Sequence, residues 1–403
     1  MKVTRRDLLT GAAGVVALGT RDLARAQSPS PPAAAAADPS KVRGKPASAL
    51  GQRAPSEKPQ RLARGTSSQT PHQDLVGTIT PSDLHFERHH GGVPAVDPKT
   101  YALLVHGMVD RPMMFTLAEL KRFASVTRVS FLECSGNFNR NAPPETTPQQ
   151  LAGLTSTSEW TGVPVATIFR EVGVRPQATW FLAEGTDAAM LTRSIPVEKA
   201  MDDAMIAYAQ NGEAIRPEQG YPARLLLPGW EGNASVKWLR RLELSDRPFM
   251  TREETSKYTD PLANDTARMF SFVMDARSLI TSPSYPQTVT RGWIEISGIA
   301  WTGYGRIQRV DVSTDGGRTW TAARLQEPVL SKAHTRFRHL WNWDGSEAVI
   351  MSRAVDETGY VQPTRSVLAK ERGPGAANYH SNPITAWVIR ADGTVVYKPE
   401  PWA

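Results

Sequence analysis

The chain has 403 residues, of which 22% are charged and 40% are hydrophobic, and its formal net charge at pH 7 is +7. The excess positive charge lies at the beginning: residues 1–70 contain 12 Lys and Arg against 4 Asp and Glu, whereas residues 71–403 contain 35 against 36. The later residues therefore give no electrostatic reason to bind nucleic acid or an anionic membrane, and no nucleic-acid partner is expected.

The first 26 residues have the pattern of an export signal. Arg5-Arg6 precedes a short apolar run from Leu8 to Thr20, and Ala24-Arg25-Ala26 provides a small-x-small cleavage site. The run is too short to span a bilayer as a mature helix, so no membrane span is expected after signal removal. An ordinary secretory signal with two chance arginines is the alternative, but the pair favours the twin-arginine route, which exports folded proteins to the periplasm.

Residues 27–70 are rich in Pro, Ala, Ser and basic residues and contain almost no large apolar side chains. Such a segment cannot bury enough apolar surface to offset the entropy lost on ordering. The composition predicts a disordered linker.

Residues 71–264 mix helical and strand signals, which is typical of an α+β domain. A helix is predicted over 116–123, because Thr116 followed by Glu119 forms a capping box. Further helices are predicted over 165–172 and 196–201, and strands over 225–228 and 239–244.

Residues 265–403 change to short strands separated by turn signals. The strand candidates are 293–299, 307–313, 319–325, 348–355 and 386–389. Asp315-Gly316-Gly317 predicts a hairpin turn, since Gly tolerates positive φ. Regular spacing of this kind predicts a β-sandwich.

Cys134 is the only cysteine in the chain, so an intramolecular disulfide is impossible. It follows a strand-like run over 129–133 and precedes the turn signal Ser135-Gly136-Asn137. A buried cysteine that acts as a small hydrophobic residue is one interpretation. A functional thiol is the other, because a lone cysteine is unusual in an exported protein.

Five motifs occur in an order that resembles the sulfite oxidase family of molybdenum enzymes. They are His85-Phe86-Glu87-Arg88-His89-His90, the Cys134 segment Leu132-Glu133-Cys134-Ser135-Gly136-Asn137, Gly220-Tyr221-Pro222-Ala223-Arg224, Ser235-Val236-Lys237-Trp238-Leu239 and Val310-Asp311-Val312-Ser313-Thr314-Asp315-Gly316-Gly317. The resemblance implies a molybdopterin-binding catalytic domain over 71–264, followed by an Ig-like β-sandwich dimerisation domain over 265–403. Within the family, the chain is most similar to the molybdenum subunits of sulfane (sulfite) dehydrogenases in bacterial thiosulfate oxidation.

By resemblance, each chain holds one molybdenum–molybdopterin, and Cys134 is the single protein ligand to the metal. A soft thiolate suits a metal that dithiolene sulfurs already bind. The resemblance places these residues around the pterin: Phe86, Glu87, Arg88, His89, His90, Asp187, Gln219, Arg224, Ser235, Val236 and Lys237. Lys237 would act as a point charge on the phosphate and Arg224 as a planar fork. Gln219 stands where the family often has His. Taken alone, residues of these types are more often surface or structural.

The resemblance also assigns the substrate side. Arg88 matches the arginine that faces the substrate oxyanion, and Tyr258 matches an active-site tyrosine that can donate a hydrogen bond and relay protons. The pocket tryptophan of the animal enzymes has no match. Their late arginine has none either: Trp387-Val388-Ile389 stands there, with Arg390 nearby. The expected pocket is less positive than one built for free sulfite, so sulfane sulfur on a carrier protein is a plausible substrate.

The resemblance implies oxo transfer to sulfur, followed by electron transfer to an external acceptor. The chain has no C-x-x-C-H haem site, so we expect no haem on it, a c-type cytochrome subunit as partner, and a homodimer or α2β2 heterotetramer. A stand-alone sulfite:cytochrome c dehydrogenase remains an alternative. A molybdenum reductase of protein methionine sulfoxide is opposed by residues 268–400. A non-catalytic sandwich that only binds a partner is opposed by Cys134, Arg88 and Lys237.

Overall fold

A computed structural model describes residues 39–41, 43–262, 265–373 and 378–400. The predicted signal peptide, residues 1–26, and the first part of the predicted linker lie outside these residues. The chain divides by its contacts into residues 1–57 and residues 58–403. The described part of the first unit has one 3-10 helix, Pro39–Lys41, and residues 43–57 are exposed. In the part of the chain that the structure describes, no helix is both long and apolar enough to cross a bilayer.

The linker predicted over 27–70 is too long at its C-terminal end. Strands β1 (Leu62–Arg64) and β2 (Ser67–Gln69) form a hairpin, and β2 pairs with β3 (Glu87–Arg88). Thr70 is buried, with its hydroxyl 2.6 Å from that of Ser156. Backbone pairing and polar contacts hold this hairpin. Strands are predicted from a periodic pattern of apolar residues, and this segment has none, so the hairpin could not be predicted from sequence.

The first domain is α+β, as predicted. Its described strands after the hairpin form two further sheets, in the orders β11-β10-β7-β6, with β12 paired to β10, and β5-β4-β13-β8-β9. The strands are β4 (Ala102–Gly107), β5 (Met113–Thr116), β6 (Val126–Glu133), β7 (Thr155–Pro164), β8 (Trp180–Gly185), β9 (Thr192–Pro196), β10 (Met205–Gln210), β11 (Glu213–Ala214), β12 (Arg224–Leu226) and β13 (Leu239–Ser245). Their buried apolar faces meet in a shared core.

Four helices connect these strands, and the three predicted from sequence are confirmed. They are α1 (Leu117–Leu120), α2 (Pro148–Ala152), α3 (Val165–Val172) and α4 (Val197–Asp202). The Thr116 side chain accepts the N–H of Glu119 while the Glu119 carboxylate accepts the N–H of Thr116, so the capping box is formed on both sides. Short 3-10 helices cover His72–Asp74, Ser82–Leu84 and Pro217–Gln219, and a π-helical turn covers Glu253–Lys257.

The second domain is a β-sandwich, as predicted. Its two sheets have the strand orders β16-β17-β21-β20 and β19-β18-β22-β23-β24. The strands are β16 (Arg277–Ser282), β17 (Gly292–Trp301), β18 (Ile307–Ser313), β19 (Thr321–Ala322), β20 (Arg324–Leu325), β21 (Thr335–Trp343), β22 (Ala348–Asp356), β23 (Ala386–Ile389) and β24 (Val395–Tyr397). Helix α5 (Arg365–Arg372) leads into β23, and a short pair, β14 (Asp260–Pro261) with β15 (Ala267–Arg268), precedes the sandwich.

The sandwich differs from the prediction in one place. The single strand expected over 319–325 is two short strands, because β19 pairs with β18 in one sheet and β20 pairs with β21 in the other. The hairpin turn between β18 and β19 is confirmed, with φ of 73° at Gly316 and 88° at Gly317. The domain boundary predicted between residues 264 and 265 adjoins residues 263–264, which are outside the described residues, and stays a prediction.

A buried ion pair links the sandwich to the strand that ends before Cys134. Glu133, the last residue of β6, is 1% exposed and accepts hydrogen bonds from Trp301 Nε1 at 2.6 Å and Asn137 Nδ2 at 3.0 Å. Arg277 on β16 is 2% exposed, and its Nη1 lies 3.2 Å from the Glu133 carboxylate. The sandwich thus fixes the end of β6.

Replacing Arg277 by Met should therefore destabilise the protein strongly. Removing one partner leaves the Glu133 carboxylate buried and uncompensated, which costs about 3–5 kcal/mol. The free energy of unfolding, from urea titration followed by tryptophan fluorescence, measures the loss. Arg338→Met is the matched control: its partner Glu295 is 2.6 Å away and both side chains are nearly half exposed, so about 0–1 kcal/mol is expected. Equal losses in the two variants would contradict a structural role of the buried pair.

Candidate active site at the end of strand β6

Cys134 lies where strand β6 stops. Phe131 and Leu132 anchor the strand in the interior, and the Cys134 N–H donates to the carbonyl of Leu154 at 2.9 Å. The chain then turns sharply, with the Asn137 N–H bonded to the Cys134 carbonyl at 2.9 Å. Burial raises the pKa of the Cys134 thiol, and the charge of Arg88 opposes this rise. A thiol in this position can bind a metal, because binding displaces its proton.

The Cys134 side chain lines a cavity of about 280 Å³. All of the residues predicted for the site line it except Val236. They are Phe86, Glu87, Arg88, His89, His90, Cys134, Asp187, Gln219, Arg224, Ser235, Lys237 and Tyr258. The structure therefore brings together segments that are up to 172 positions apart in the chain, counted from Phe86 to Tyr258.

Val236 is the exception among the predicted site residues. Its side chain is 1% exposed and packs in the main core of the first domain. Its carbonyl accepts the N–H of Leu225 at 2.8 Å, which holds this segment against β12. Ser235 and Lys237 line the cavity, whereas the Val236 side chain between them packs in the core.

Two cations, the buried Arg224 and the part-buried Lys237, lie at one end of the site without a carboxylate partner among the described residues. The Arg224 guanidinium donates to the carbonyls of Gln219 at 2.9 Å and Ser235 at 2.8 Å. The Lys237 ammonium donates to the carbonyls of Arg88 at 3.1 Å and Glu218 at 3.0 Å. Among the described residues, neither forms a salt bridge with an acidic side chain.

Burial has a clear effect on both cations. It lowers the pKa of Arg224 to about 9. Burial and the nearby charge of Arg224 also lower the pKa of Lys237 well below its ordinary value. A buried charge without a counter-ion is costly. An anion bound here would remove that cost, so the donor set fits the phosphate of molybdopterin.

A second feature also fits a bound pterin. Asn233 lines the cavity, and its Nδ2 donates to Ser135 Oγ at 3.1 Å and to Glu231 Oε2 at 2.9 Å. Its Oδ1 is buried and has no hydrogen-bond partner in the described part of the protein. A buried acceptor without a partner is unfavourable. A ring N–H of the pterin would satisfy it.

The Asp187 loop closes another side of the cavity. The Asp187 carboxylate caps its own loop through the N–H of Leu191 at 3.3 Å, and its carbonyl accepts the N–H of Met190 at 2.8 Å. Gly91 packs directly on this loop: a Cβ at that position would lie 2.6 Å from the Ala189 nitrogen. A glycine is required because the two backbones approach so closely.

Arg88 and Tyr258, which the resemblance assigns to the substrate side, line the cavity together with His90, which it assigns to the pterin. The Tyr258 hydroxyl is 3.2 Å from His90 Nε2. Burial, followed by the negative charges of Cys134 and Glu231, raises the pKa of Tyr258, so its phenol stays protonated and can donate. The Arg193 guanidinium lies 5.0 Å from the centre of its ring and is held by Glu231 at 2.8 Å and Glu254 at 2.7 Å.

Tyr379 is a cavity residue that sequence reasoning missed. It comes from the second domain, and its ring centre is 5.4 Å from that of Tyr258. The segment is held on the Cys134 loop, because the His380 N–H donates to the Ser135 carbonyl at 2.9 Å. Arg390, the late arginine considered from sequence, is exposed and does not line the cavity. No spacing in the sequence indicates that Tyr379 returns to the site.

Comparison with known proteins agrees with this geometry. The model of an oxidoreductase molybdopterin binding domain matches residues 90–253, and the model of a Mo-co oxidoreductase dimerisation domain matches residues 268–386. Sulfite oxidase of Gallus gallus is 33% identical over 314 residues, which cover 71% of this chain and 68% of that protein. A nitrate reductase [NADH] of Ulva prolifera is 29% identical over 353 residues, 74% of this chain but only 39% of that enzyme.

A solved structure is also similar. The crystal structure of the sulfane dehydrogenase SoxCD from Paracoccus pantotrophus matches with a TM-score of 0.81 and 44% sequence identity, over 89% of this chain and 98% of that one. The relation therefore extends through both domains. The chain belongs to the sulfite oxidase family of molybdopterin oxidoreductases.

Proposed function

We propose that this protein is the molybdenum subunit of a periplasmic sulfane (sulfite) dehydrogenase of thiosulfate oxidation. The observation that carries the proposal is the layout of the cavity. A single thiol, Cys134, shares it with two cations that suit a phosphate, the buried Arg224 and the part-buried Lys237, and with one further cation, Arg88. The 44% identity to the sulfane dehydrogenase SoxCD structure favours sulfane sulfur as substrate.

The residues of the chain have separate tasks in this reaction. When bound, molybdopterin supplies oxo transfer and accepts two electrons. Arg88 binds and orients the anionic substrate, since its guanidinium stays charged and offers a planar fork. Tyr258 holds its proton at the hydroxyl and donates a hydrogen bond to an oxygen of the substrate or product. With sulfite, the balance is SO₃²⁻ + H₂O → SO₄²⁻ + 2H⁺ + 2e⁻.

The substrate side of the cavity carries little positive charge, which supports a carrier-bound sulfur. Arg224 and Lys237 are committed to the phosphate, so Arg88 is the remaining cation among the described lining residues. Tyr379 and Tyr258 add a neutral aromatic wall beside it. A persulfide sulfur with one negative charge suits this arrangement better than a small dianion does.

The electrons leave one at a time to an external acceptor. The only cysteine is Cys134, so this chain cannot form a C-x-x-C-H haem site, and we propose a separate c-type cytochrome subunit. The second domain belongs to the dimerisation type, which supports a homodimer or an α2β2 heterotetramer. A stand-alone sulfite:cytochrome c dehydrogenase is the second candidate, favoured by the 33% identity to the Gallus gallus sulfite oxidase.

One comparison tests the proposal. Free sulfite, free thiosulfate and sulfane sulfur on a carrier protein are offered as reductants of cytochrome c to the molybdenum-loaded protein. The highest kcat/KM with the carrier-bound sulfane supports the proposal. The highest kcat/KM with free sulfite would favour the stand-alone dehydrogenase, and purification without molybdenum would favour a non-catalytic binding module.

Cys134→Ser should keep the fold but abolish turnover, because a serine hydroxyl does not supply the soft thiolate that this metal site needs. Steady-state activity is measured on protein whose molybdenum content equals that of the wild type, so that loss of metal is not mistaken for loss of the ligand. Substantial activity in the loaded variant would show that Cys134 is not the working ligand.

Arg88→Gln should weaken substrate binding and slow oxidation together. A charge-assisted hydrogen bond to an oxyanion contributes roughly 1.5–3 kcal/mol, so kcat/KM should fall on the order of ten- to a hundredfold. Lys at this position should recover part of the loss, since it cannot form the planar two-point contact. The exposed Arg390 is the matched control, and Arg390→Gln should leave kcat/KM unchanged. If Arg88→Gln has the wild-type KM and the wild-type kcat per molybdenum atom, Arg88 does not bind the substrate.

Export by the twin-arginine route makes a further prediction. Replacing Arg5 and Arg6 together by Lys should leave precursor in the cytoplasm, because that route reads the arginine pair. Arg21→Lys, outside the pair but inside the signal, should export normally. Cell fractionation measures both, and normal periplasmic amounts of the double variant would exclude this route.

A further inference from the structure

The hairpin β1–β2 contacts Glu87, Arg88 and His89, which line the cavity, and it lies outside the region that the family models match. The matched region begins at residue 90, whereas the hairpin covers Leu62–Arg64 and Ser67–Gln69. We propose that this hairpin is a positioning element, in which Thr66 orients the substrate-binding Arg88 and Ser68 orients the phosphate-binding Lys237. The inference rests on the proposed roles of Arg88 and Lys237.

The turn of the hairpin determines where Thr66 lies. Arg64 pairs with Ser67, so Gly65 and Thr66 form a two-residue loop. Gly65 has φ of 58°, which glycine adopts readily at the first loop position of a tight hairpin. The next strand places Ser67 opposite Arg88. Thr66 is therefore held at the edge of β3, beside the Arg88 side chain.

Thr66 makes two hydrogen bonds with the motif that contains Arg88. Its carbonyl accepts the N–H of His89 at 2.9 Å, and its Oγ1 accepts a hydrogen bond from Arg88 Nη1 at 2.7 Å. Arg88 Nη1 also donates to the carbonyl of His89. One end of the guanidinium is thus fixed. Its Nε and Nη2 make no hydrogen bond with the described residues, so they remain for a ligand.

Ser68 connects the hairpin to the other end of the cavity. Its Oγ donates to Glu87 Oε1 at 2.9 Å, and Glu87 Oε2 lies 2.7 Å from His89 Nε2. His89 Nδ1 in turn lies 2.8 Å from the Lys237 ammonium. Polar contacts therefore run without a break from Ser68 through Glu87 and His89 to Lys237, and they orient the Lys237 ammonium. Thr66 in the hairpin loop and Ser68 on β2 are therefore connected to different ends of the site.

The hairpin contributes little to the hydrophobic core. Every residue of β1 is exposed, and Leu62, its large apolar side chain, is 38% exposed. Changes at Thr66 that retain its volume should therefore leave the fold intact. An effect on kinetics then reports the orientation of Arg88 and not unfolding.

The first test compares Thr66→Val with Thr66→Ser in the full, molybdenum-loaded protein, with free sulfite as substrate and cytochrome c as acceptor. Thr66→Val removes the acceptor oxygen and should raise KM about three- to tenfold. The kcat per molybdenum atom should change by less than about twofold. Thr66→Ser retains the hydroxyl and should keep the wild-type KM. Ser67→Ala is the matched control, because the one hydrogen bond of the Ser67 hydroxyl with the described residues lies within the hairpin, to the Arg64 carbonyl at 3.0 Å.

The second test concerns Ser68. Ser68→Ala should lower the amount of molybdenum retained after gel filtration. The KM of the molecules that keep molybdenum should stay near the wild-type value. Thr66→Val should show the opposite pattern, with normal molybdenum and a raised KM. If the hairpin had only a structural role, both variants would lose folding and would change in the same way. Opposite effects of the two variants on molybdenum content and KM therefore distinguish positioning from a structural role.

The inference is overturned if Thr66→Val and Ser67→Ala change KM equally, or if Thr66→Val keeps the wild-type KM while Arg88→Gln raises it. In the latter case the proposed function still stands. Wild-type KM in Arg88→Gln itself would instead remove the assigned role of Arg88. Adding Thr66→Val to Arg88→Gln should have no further effect, because both changes remove the same interaction.

Discussion

Glu133 is a buried carboxylate one residue before Cys134, and its hydrogen bonds decide where the thiol stands. Taking a carboxylate out of water costs several kcal/mol unless its oxygens are satisfied. Here Trp301 and Arg277 from the sandwich and Asn137 from the Cys134 loop satisfy them. The end of β6 can occupy this position only when both domains are folded. The site is thus a product of the interface between the two domains, although its sequence motif lies in the first.

The distribution of buried charge explains how one cavity can hold a large cofactor and still admit a substrate. Arg224 and Lys237 are bonded to backbone carbonyls and lack acidic partners among the described residues. They are therefore prepared for an anion from elsewhere. Glu231 and Glu254 instead neutralise Arg193 below Tyr258. Arg193, which has acidic partners, therefore belongs to the structural part of the site. Arg224 and Lys237, which lack them among the described residues, belong to the part that binds an anion.

Segments at both ends of the folded chain complete the cavity. The hairpin at 62–69 contacts the Arg88 motif, and Tyr379, near the C-terminus, lies beside Tyr258. Backbone hydrogen bonds hold both segments in place. The Thr66 carbonyl accepts the N–H of His89, and the His380 N–H donates to the carbonyl of Ser135 in the Cys134 loop. Thr66 of the hairpin and Tyr379 thus offer a way to vary substrate binding without changing Cys134.

The sequence alone determined the elements with strong local signals and the residues with specific chemistry. The capping box at Thr116, the helix over 165–172 and the glycine turn at Gly316-Gly317 depend on neighbours in the chain, so they could be predicted. The motifs around Arg88, Cys134 and Lys237 were distinctive enough to indicate the family. What only the tertiary structure decided depends on contacts between distant residues. These are the hairpin in the supposed linker, the division of 319–325 between two sheets, the inward direction of Val236 and the return of Tyr379 to the site. Backbone pairing, packing in the first-domain core and contacts across the domain interface fix these four features, and none of these leaves a periodic signal in the sequence.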